Sequence, residues 1–187
     1  ERRIAAEFGD RRCLILRPPM VLGPRDQATL PLFKMAKSPL RVKPGFRRKW
    51  YSYVSVEDLV DAVFAAVTHP QSWPAAGVRR YFVTSGGPIS DAELIATAAR
   101  AVRRRGWLVH IPQGMIWLLS RVVDRVPAWR AAVPNLSADR AREIWPSRWV
   151  VSDSAFQRDF GWKPAADLFS VLSETGVWYQ RTGQLSV

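Results

Sequence analysis

Three observations predict an α/β fold organised around an open sheet. Short apolar runs of strand length alternate with longer runs whose apolar residues recur at helical spacing. Leu14-Ile15-Leu16, the most strand-like run, has charge on one side and Pro18-Pro19 on the other. Proline donates no backbone hydrogen bond, so the strand's pairing must end there. The chain then travels extended to a second break at Gly23-Pro24. A buried strand that stops in a rigid loop is where open α/β sheets place their ligands. The 187 residues, 48% apolar and 24% charged, suit one domain, or one and a piece of another, with a sizeable core.

In chain order, Glu1 to Phe8 read as the last turns of a helix with Gly9 as its stop. Leu30 to Lys37 form a short helix, with Pro31 tolerated in its first turn and Ser38-Pro39 closing it. Arg41-Val42-Lys43 and Trp50 to Val54 are short strands around a Pro44-Gly45 turn. Ser55 opens the clearest helix: its hydroxyl can cap the Asp58 amide while Asp58 reaches back, a shortened capping box. Asp58 is therefore read as a structural cap. Behind it Val56, Leu59, Val60, Val63, Phe64 and Val67 recur at helical spacing until His69-Pro70.

Arg79 to Thr84 is a strand opening into Ser85-Gly86-Gly87-Pro88. Pro88 removes an amide donor, so this glycine pair is a turn rather than a phosphate cradle. Ser90 caps the next helix, Asp91 to Arg104, with Glu93 at the capping-box position. Trp107 to Ile111 is a strand, and Met115 to Val126 an apolar helix ended by Pro127. That helix is expected to be core or the wall of a substrate pocket, with Trp129-Arg130 leaving an interfacial role open. Asn135 to Arg140 is a capped short helix and Trp149-Val150-Val151 a strand. Ser152-Asp153 caps a turn of helix through Phe160, and Asp167 starts the last helix.

The 28 Lys and Arg against 16 Asp and Glu give a formal charge of +12. Arg47-Arg48-Lys49, Arg79-Arg80 and Arg103-Arg104-Arg105 raise nucleic acid as a partner. These runs sit at three separate element ends rather than on one periodic face, which disfavours it. A phosphate-bearing small molecule would use one or two of the arginines more economically. His69 and His110 stand apart from each other and from Cys13, so no metal and no nucleophilic constellation is expected. A lone cysteine forms no internal disulfide and is compatible with the cytoplasm. No apolar run reaches the roughly 18 residues of a membrane-spanning helix.

Two stretches carry a family resemblance. LRPPMVLGPRD, residues 16–26, resembles the segment after the catalytic helix of the extended short-chain dehydrogenase/reductase family, the NAD(P)-dependent epimerases, dehydratases and reductases. WVVSDSAFQRDFGWKPAADLFSVLSETGVWYQRTGQL, residues 149–185, resembles the closing segment of bacterial members. The resemblance implies the C-terminal part of a Rossmann-like doubly wound sheet plus the smaller mixed α/β substrate-binding domain. Residues 1–27 would be the last strand and loop of an incomplete dinucleotide-binding domain. Residues 28–187 would be mainly the substrate-binding portion, with some elements returning to the sheet.

It further implies NAD or NADP as cofactor, and hydride transfer to or from a carbonyl or alcohol carbon of a small-molecule substrate. Pro18 and Pro19 match the places whose backbone borders the nicotinamide ring. Met20 and Val21 match substrate contacts, and Arg25 and Trp117 join them as substrate-binding candidates. An apolar Met20, with Trp117 and its neighbours, points to a hydrophobic substrate such as a sterol- or flavonoid-like ketone. The glycines show neither GxxGxxG nor GxGxxG spacing, and no tyrosine is followed four residues later by lysine. The chain alone is therefore expected to be inactive and the N-terminal half to lie upstream. Self-association through the uncovered sheet edge is also expected. The rival reading is a non-catalytic scaffold or partner-binding module.

Overall fold

The computed structural model describes residues 1–7, 11–112, 114–115 and 148–185. Gly9, the helix expected beyond Met115 and the segment from Asn135 to Arg140 lie outside them. The first half runs α1 (Arg2–Glu7), β1 (Cys13–Arg17), β2 (Met20–Leu22), α2 (Leu30–Lys37), β3 (Leu40–Pro44), β4 (Trp50–Tyr51), β5 (Tyr53–Ser55) and α3 (Val56–Thr68). It continues with β6 (Val78–Phe82), β7 (Ile89–Ser90), α4 (Asp91–Ala101), β8 (Trp107–Ile111), β9 (Arg148–Trp149), α5 (Ser154–Phe160) and α6 (Leu168–Arg181). This is a mixed α/β fold with parallel strands, as the sequence predicts.

β1 pairs in parallel with β6, from Cys13↔Val78 to Arg17↔Phe82, and the connection between them runs from β2 through α3. The ladder stops at Arg17, where Pro18 has no amide to continue it. Pairing resumes at Met20, but on a new partner: β2 runs parallel to β5, with Met20↔Tyr53 and Leu22↔Ser55. The two prolines thus mark a change of partner as well as a strand end. Trp50 to Val54, expected as one strand, is divided at Ser52. The Ser52 amide donates to the Trp149 carbonyl at 2.8 Å, and its hydroxyl accepts from the Val151 amide at 3.1 Å. β4 lies between β7 and β9, whereas β3 pairs with β8, so the strands flanking Pro44-Gly45 are not partners.

The apolar side chains gather in two clusters. One contains Phe33 of α2, Ala98 of α4, and Leu172 and Tyr179 of α6, together with Leu22. The other contains Val54, Ala62 and Ala66 of α3, Tyr81, Phe156, Phe160 and Trp162. The α3 face differs from a simple reading of its stripe. Ala62 and Ala66 are buried and Leu59 packs inward, while Val60, Val63, Phe64 and Val67 stand outside, Phe64 being 68% exposed. Helical spacing marks an apolar face without saying what covers it.

Tyr81 ties the second cluster to the surface. Its ring meets Phe156 and Phe160 edge-on at 5.6 and 5.5 Å, and its hydroxyl donates to Asp159 at 2.6 Å. Burial first, and then this bond, push the Tyr81 hydroxyl up to about 12. The bond and neighbouring Arg79, 3.0 Å from Asp159, hold the carboxyl below its ordinary 3.8. Tyr81→Phe is expected to cost about 1 kcal/mol in a denaturant titration at neutral pH. A carboxyl with a depressed folded pKa stabilises above its unfolded value and loses that contribution as pH falls through the folded one. The difference between the two proteins should therefore be constant from pH 3.8 to the ordinary tyrosine value of 10, and shrink on either side as Asp159 protonates or Tyr81 ionises. A constant difference down to full protonation would show that Asp159 takes no part.

Candidate functional site

The carboxyl ends of β1, β2, β5 and β6 converge on the segment from Pro18 to Gly23. Pro18 is exposed, while Pro19, Met20 and Val21 are half-buried. Successive residues of a strand point to opposite faces. Met20 accordingly packs on the cluster of Phe33 and Tyr179, and Val21 on that of Val54 and Tyr81. β2 is thus the strand between the two cores. At Gly23 the backbone approaches α3 so closely that a Cβ would lie 2.8 Å from Val56 Cγ2. Arg25 follows in an exposed loop with a positive φ of 71°.

The loop is fixed from both ends. The Asp26 carboxylate accepts from the Ala28 and Thr29 amides at 2.7 and 3.2 Å. The buried Tyr179 hydroxyl donates to the Asp26 carbonyl and lies 2.9 Å from the Thr29 hydroxyl. The last helix therefore holds the loop that carries Arg25, next to the other candidate residues. The sequence pattern places Asp26 and Tyr179 in two separate matching segments and gives no sign that they meet.

A second polar group lies buried at the carboxyl end of β5. Ser55 caps α3 as expected, its Oγ accepting from the Asp58 amide at 2.9 Å. Asp58 does not reach back. The Ser55 amide donates instead to Ser85 Oγ at 2.8 Å, and that hydroxyl donates to Asp58 Oδ2. Asp58 Oδ1 accepts from the Ala165 amide at 2.9 Å. The expected capping box is thus only half formed, and Asp58 joins α3, the turn after β6 and the segment before α6. Ser85 was legible as a turn residue, but its hydroxyl relay was not.

A third group surrounds the start of α4. Lys43, 1% exposed, sets its ammonium 2.9 Å from Asp91 Oδ2 and donates to the Arg47 carbonyl at 2.8 Å. Burial pushes the nearby Lys49 ammonium down and the Tyr51 hydroxyl up, with Asp91 adding to the latter. These groups brace β3 and β4 against α4.

Trp117 lies outside the described residues, so the structure brings together Pro18, Pro19, Met20 and Val21, with Arg25 on the adjoining loop. No group of three His, Cys, Asp or Glu among the described residues is placed to hold a metal. His69 Nδ1 lies 3.0 Å from the Ala65 carbonyl at the end of α3, and His110 stacks on Phe46 at 5.7 Å. The shallow hollow lined by Arg12, Val67, Pro70 and Trp73 lies at the opposite end of β1 from Pro18. No described helix is long and apolar enough to cross a membrane.

No family model matches the chain. Ceramide reductase of Caulobacter vibrioides is 26% identical over 185 residues, which are 97% of this chain and 55% of that protein. A UDP-glucose-4-epimerase from Stenotrophomonas maltophila, solved with NAD and formylated UDP-arabinopyranose, superposes with a TM-score of 0.66 at 16% identity. It covers 98% of this chain and 52% of its own. RMD from Pseudomonas aeruginosa, solved with NADPH, superposes with a TM-score of 0.59 at 18% identity, over 91% of this chain and 49% of its own. The fold is that of the NAD(P)-dependent epimerase, dehydratase and reductase proteins. The chain resembles their C-terminal portion and spans about half the length of these relatives.

Proposed function

We propose that this chain is the substrate-binding portion of an NAD(P)-dependent oxidoreductase acting on a carbonyl or alcohol of a small hydrophobic substrate. The observation that carries the reading is the change of partner at Pro18-Pro19. The segment bordering the cofactor leaves one sheet there and enters the strand between the two cores. Pro18 and Pro19 present carbonyls without amides, which suits the edge of a nicotinamide ring and not a pyrophosphate. A bound NAD(P) would supply or accept the hydride. The residues of this chain hold the substrate: Met20 and Val21 offer it apolar surface, and Arg25 a cation at the rim.

A hydrophobic substrate is favoured over a nucleotide sugar for two reasons. Met20 and Val21 bring no hydrogen-bonding side chain to the segment. The ceramide reductase is also nearer in sequence over nearly the whole chain, at 26% identity against 16% for the superposed UDP-glucose-4-epimerase. Residues 1–27 then complete the dinucleotide-binding domain and the remainder holds substrate, with α3, β6 and α5 returning to the sheet. The outward apolar face of α3 and the edge of β1 that no described strand pairs are where the upstream half docks. The completed protein is cytoplasmic in this reading.

The test is to express the chain alone and joined to the residues that precede it, and to follow NADH and NADPH with long-chain ketones and with UDP-glucose. The joined protein is expected to bind the cofactor and reduce a ketone, while the chain alone binds neither cofactor at micromolar concentration. Cofactor binding by the chain alone, or joined protein that turns over only the nucleotide sugar, would overturn the respective part. Without its other half the chain is expected to self-associate through this edge of β1 and the adjoining outward face of α3. Phe64→Glu with Val67→Lys should then lower the mass measured by light scattering and change stability by no more than about 0.5 kcal/mol.

A further inference from the structure

Strand β3, paired with β8, has its polarity reversed. The register sets Leu40 beside Trp107, Val42 beside Val109 and Pro44 beside Ile111 on one face. The intervening Arg41 and Lys43 of β3 point the other way and are buried, 7% and 1% exposed. A strand on a protein surface ordinarily turns its cations to water and its apolar residues inward. Here Trp107 is 81% and Leu40 55% exposed, while the cations are inside.

Beside these two residues the α4–β8 turn carries Arg103, Arg104 and Arg105, all exposed. The turn is held rigidly. The Arg41 guanidinium donates to the Ala36, Gly106 and Arg104 carbonyls at 3.1, 3.3 and 2.9 Å. Gly106 has no room for a side chain, since a Cβ would lie 2.5 Å from the Pro39 carbonyl oxygen. The charge is also one-sided. From Gln27 to Val56, and again from Leu94 to Val123, the sequence contains no Asp or Glu. β3, β8 and the arginine turn all lie in these two acid-free stretches.

We propose that this tip, with Trp107 and Leu40 as apolar anchors and Arg103 to Arg105 beside them, docks on the surface of an anionic phospholipid bilayer. Charge complementarity identifies the partner. Clustered arginines are drawn to anionic headgroups, and a tryptophan flanked by them fits the boundary between headgroups and acyl chains. A nucleic acid would take the arginines but gives no reason to present Leu40 and Val109 with the tryptophan. The inference does not depend on the catalytic reading, because the tip lies at the amino ends of β3 and β8 and contains none of the residues assigned to substrate.

Flotation of the full chain with vesicles is the test, because self-associated protein does not float. Vesicles of phosphatidylcholine with about 30% phosphatidylserine should carry the chain, and pure phosphatidylcholine vesicles should not. Salt at about 0.5 M should reduce flotation more than tenfold. Arg103→Gln, Arg104→Gln and Arg105→Gln together should reduce it more than tenfold, and lysine at all three positions should restore it. Trp107→Ala should reduce it about fivefold and leave the salt dependence in place. Failure to float with phosphatidylserine, equal flotation without it, or no effect of the arginine and tryptophan changes would overturn the proposal. So would tighter binding to a short DNA duplex that Trp107→Ala leaves unchanged, which would assign the tip to nucleic acid.

Discussion

Asp58→Ala is expected to destabilise the chain by about 3–5 kcal/mol, several times what an exposed helix cap contributes. The carboxylate is 2% exposed and accepts from the Ser85 hydroxyl and the Ala165 amide. Alanine leaves both donors in a space closed to solvent, and each buried donor without a partner costs about 1–3 kcal/mol. The Ser85 hydroxyl also receives the Ser55 amide, so its reorientation would disturb the start of α3. Asp58→Asn should fall between the two proteins. Its amide oxygen can still accept from Ala165, but its NH2 must face a hydroxyl that has until then donated. The measurement is a urea titration of the three proteins, comparing midpoints at equal slope. A cost of about 1 kcal/mol or less for Asp58→Ala would return the residue to the simple cap that the sequence indicates.

That contrast shows which parts of the fold the sequence carries. Ser90 and Glu93 form the complete capping box expected of them, because both halves lie within one turn. Asp167 likewise caps the last helix through the Phe169 and Ser170 amides, and Gly161 closes α5 at a φ of 64°. Asp58 has the same local pattern as Glu93, yet its carboxylate is claimed by a hydroxyl 27 residues away and an amide 107 residues away. Strand positions were legible for the same reason, and strand partners were not. Trp107–Ile111 lies where its pattern predicts, but nothing in it names Leu40–Pro44 as the parallel neighbour. The outward face of α3 is a further case. The spacing of Val60, Phe64 and Val67 is correct for a helix, while Ala62 and Ala66 take the inside because small residues allow close packing on the sheet. At the candidate site, the proline pair was legible as a break in pairing. The opposite orientation of Met20 and Val21 follows from strand geometry once Met20–Leu22 is known to be a strand rather than an extended loop.

That orientation makes the substrate assignment testable in the joined protein. Met20→Ala is expected to lower kcat/KM for a hydrophobic ketone about tenfold to a hundredfold and to leave the cofactor's Kd within about twofold. The side chain belongs to the half-buried face of β2 that packs on the cluster of Phe33 and Tyr179, where losing most of a methionine removes apolar contact with a bound substrate. The backbone of Pro18 and Pro19, proposed to border the nicotinamide, is unchanged by the substitution. Val21→Ala is the comparison, since it removes a similar apolar group from the same strand on the face of Val54 and Tyr81. Both changes should cost about 1–2 kcal/mol of stability through lost packing, so stability cannot account for a difference between their rates. A fall in kcat/KM confined to Met20→Ala places the substrate on the α2–α6 side of β2. A fall confined to Val21→Ala moves it to the other core. Equal cofactor weakening by both, with kcat/KM otherwise unchanged, would show that the segment serves the nicotinamide alone and that the substrate wall lies elsewhere.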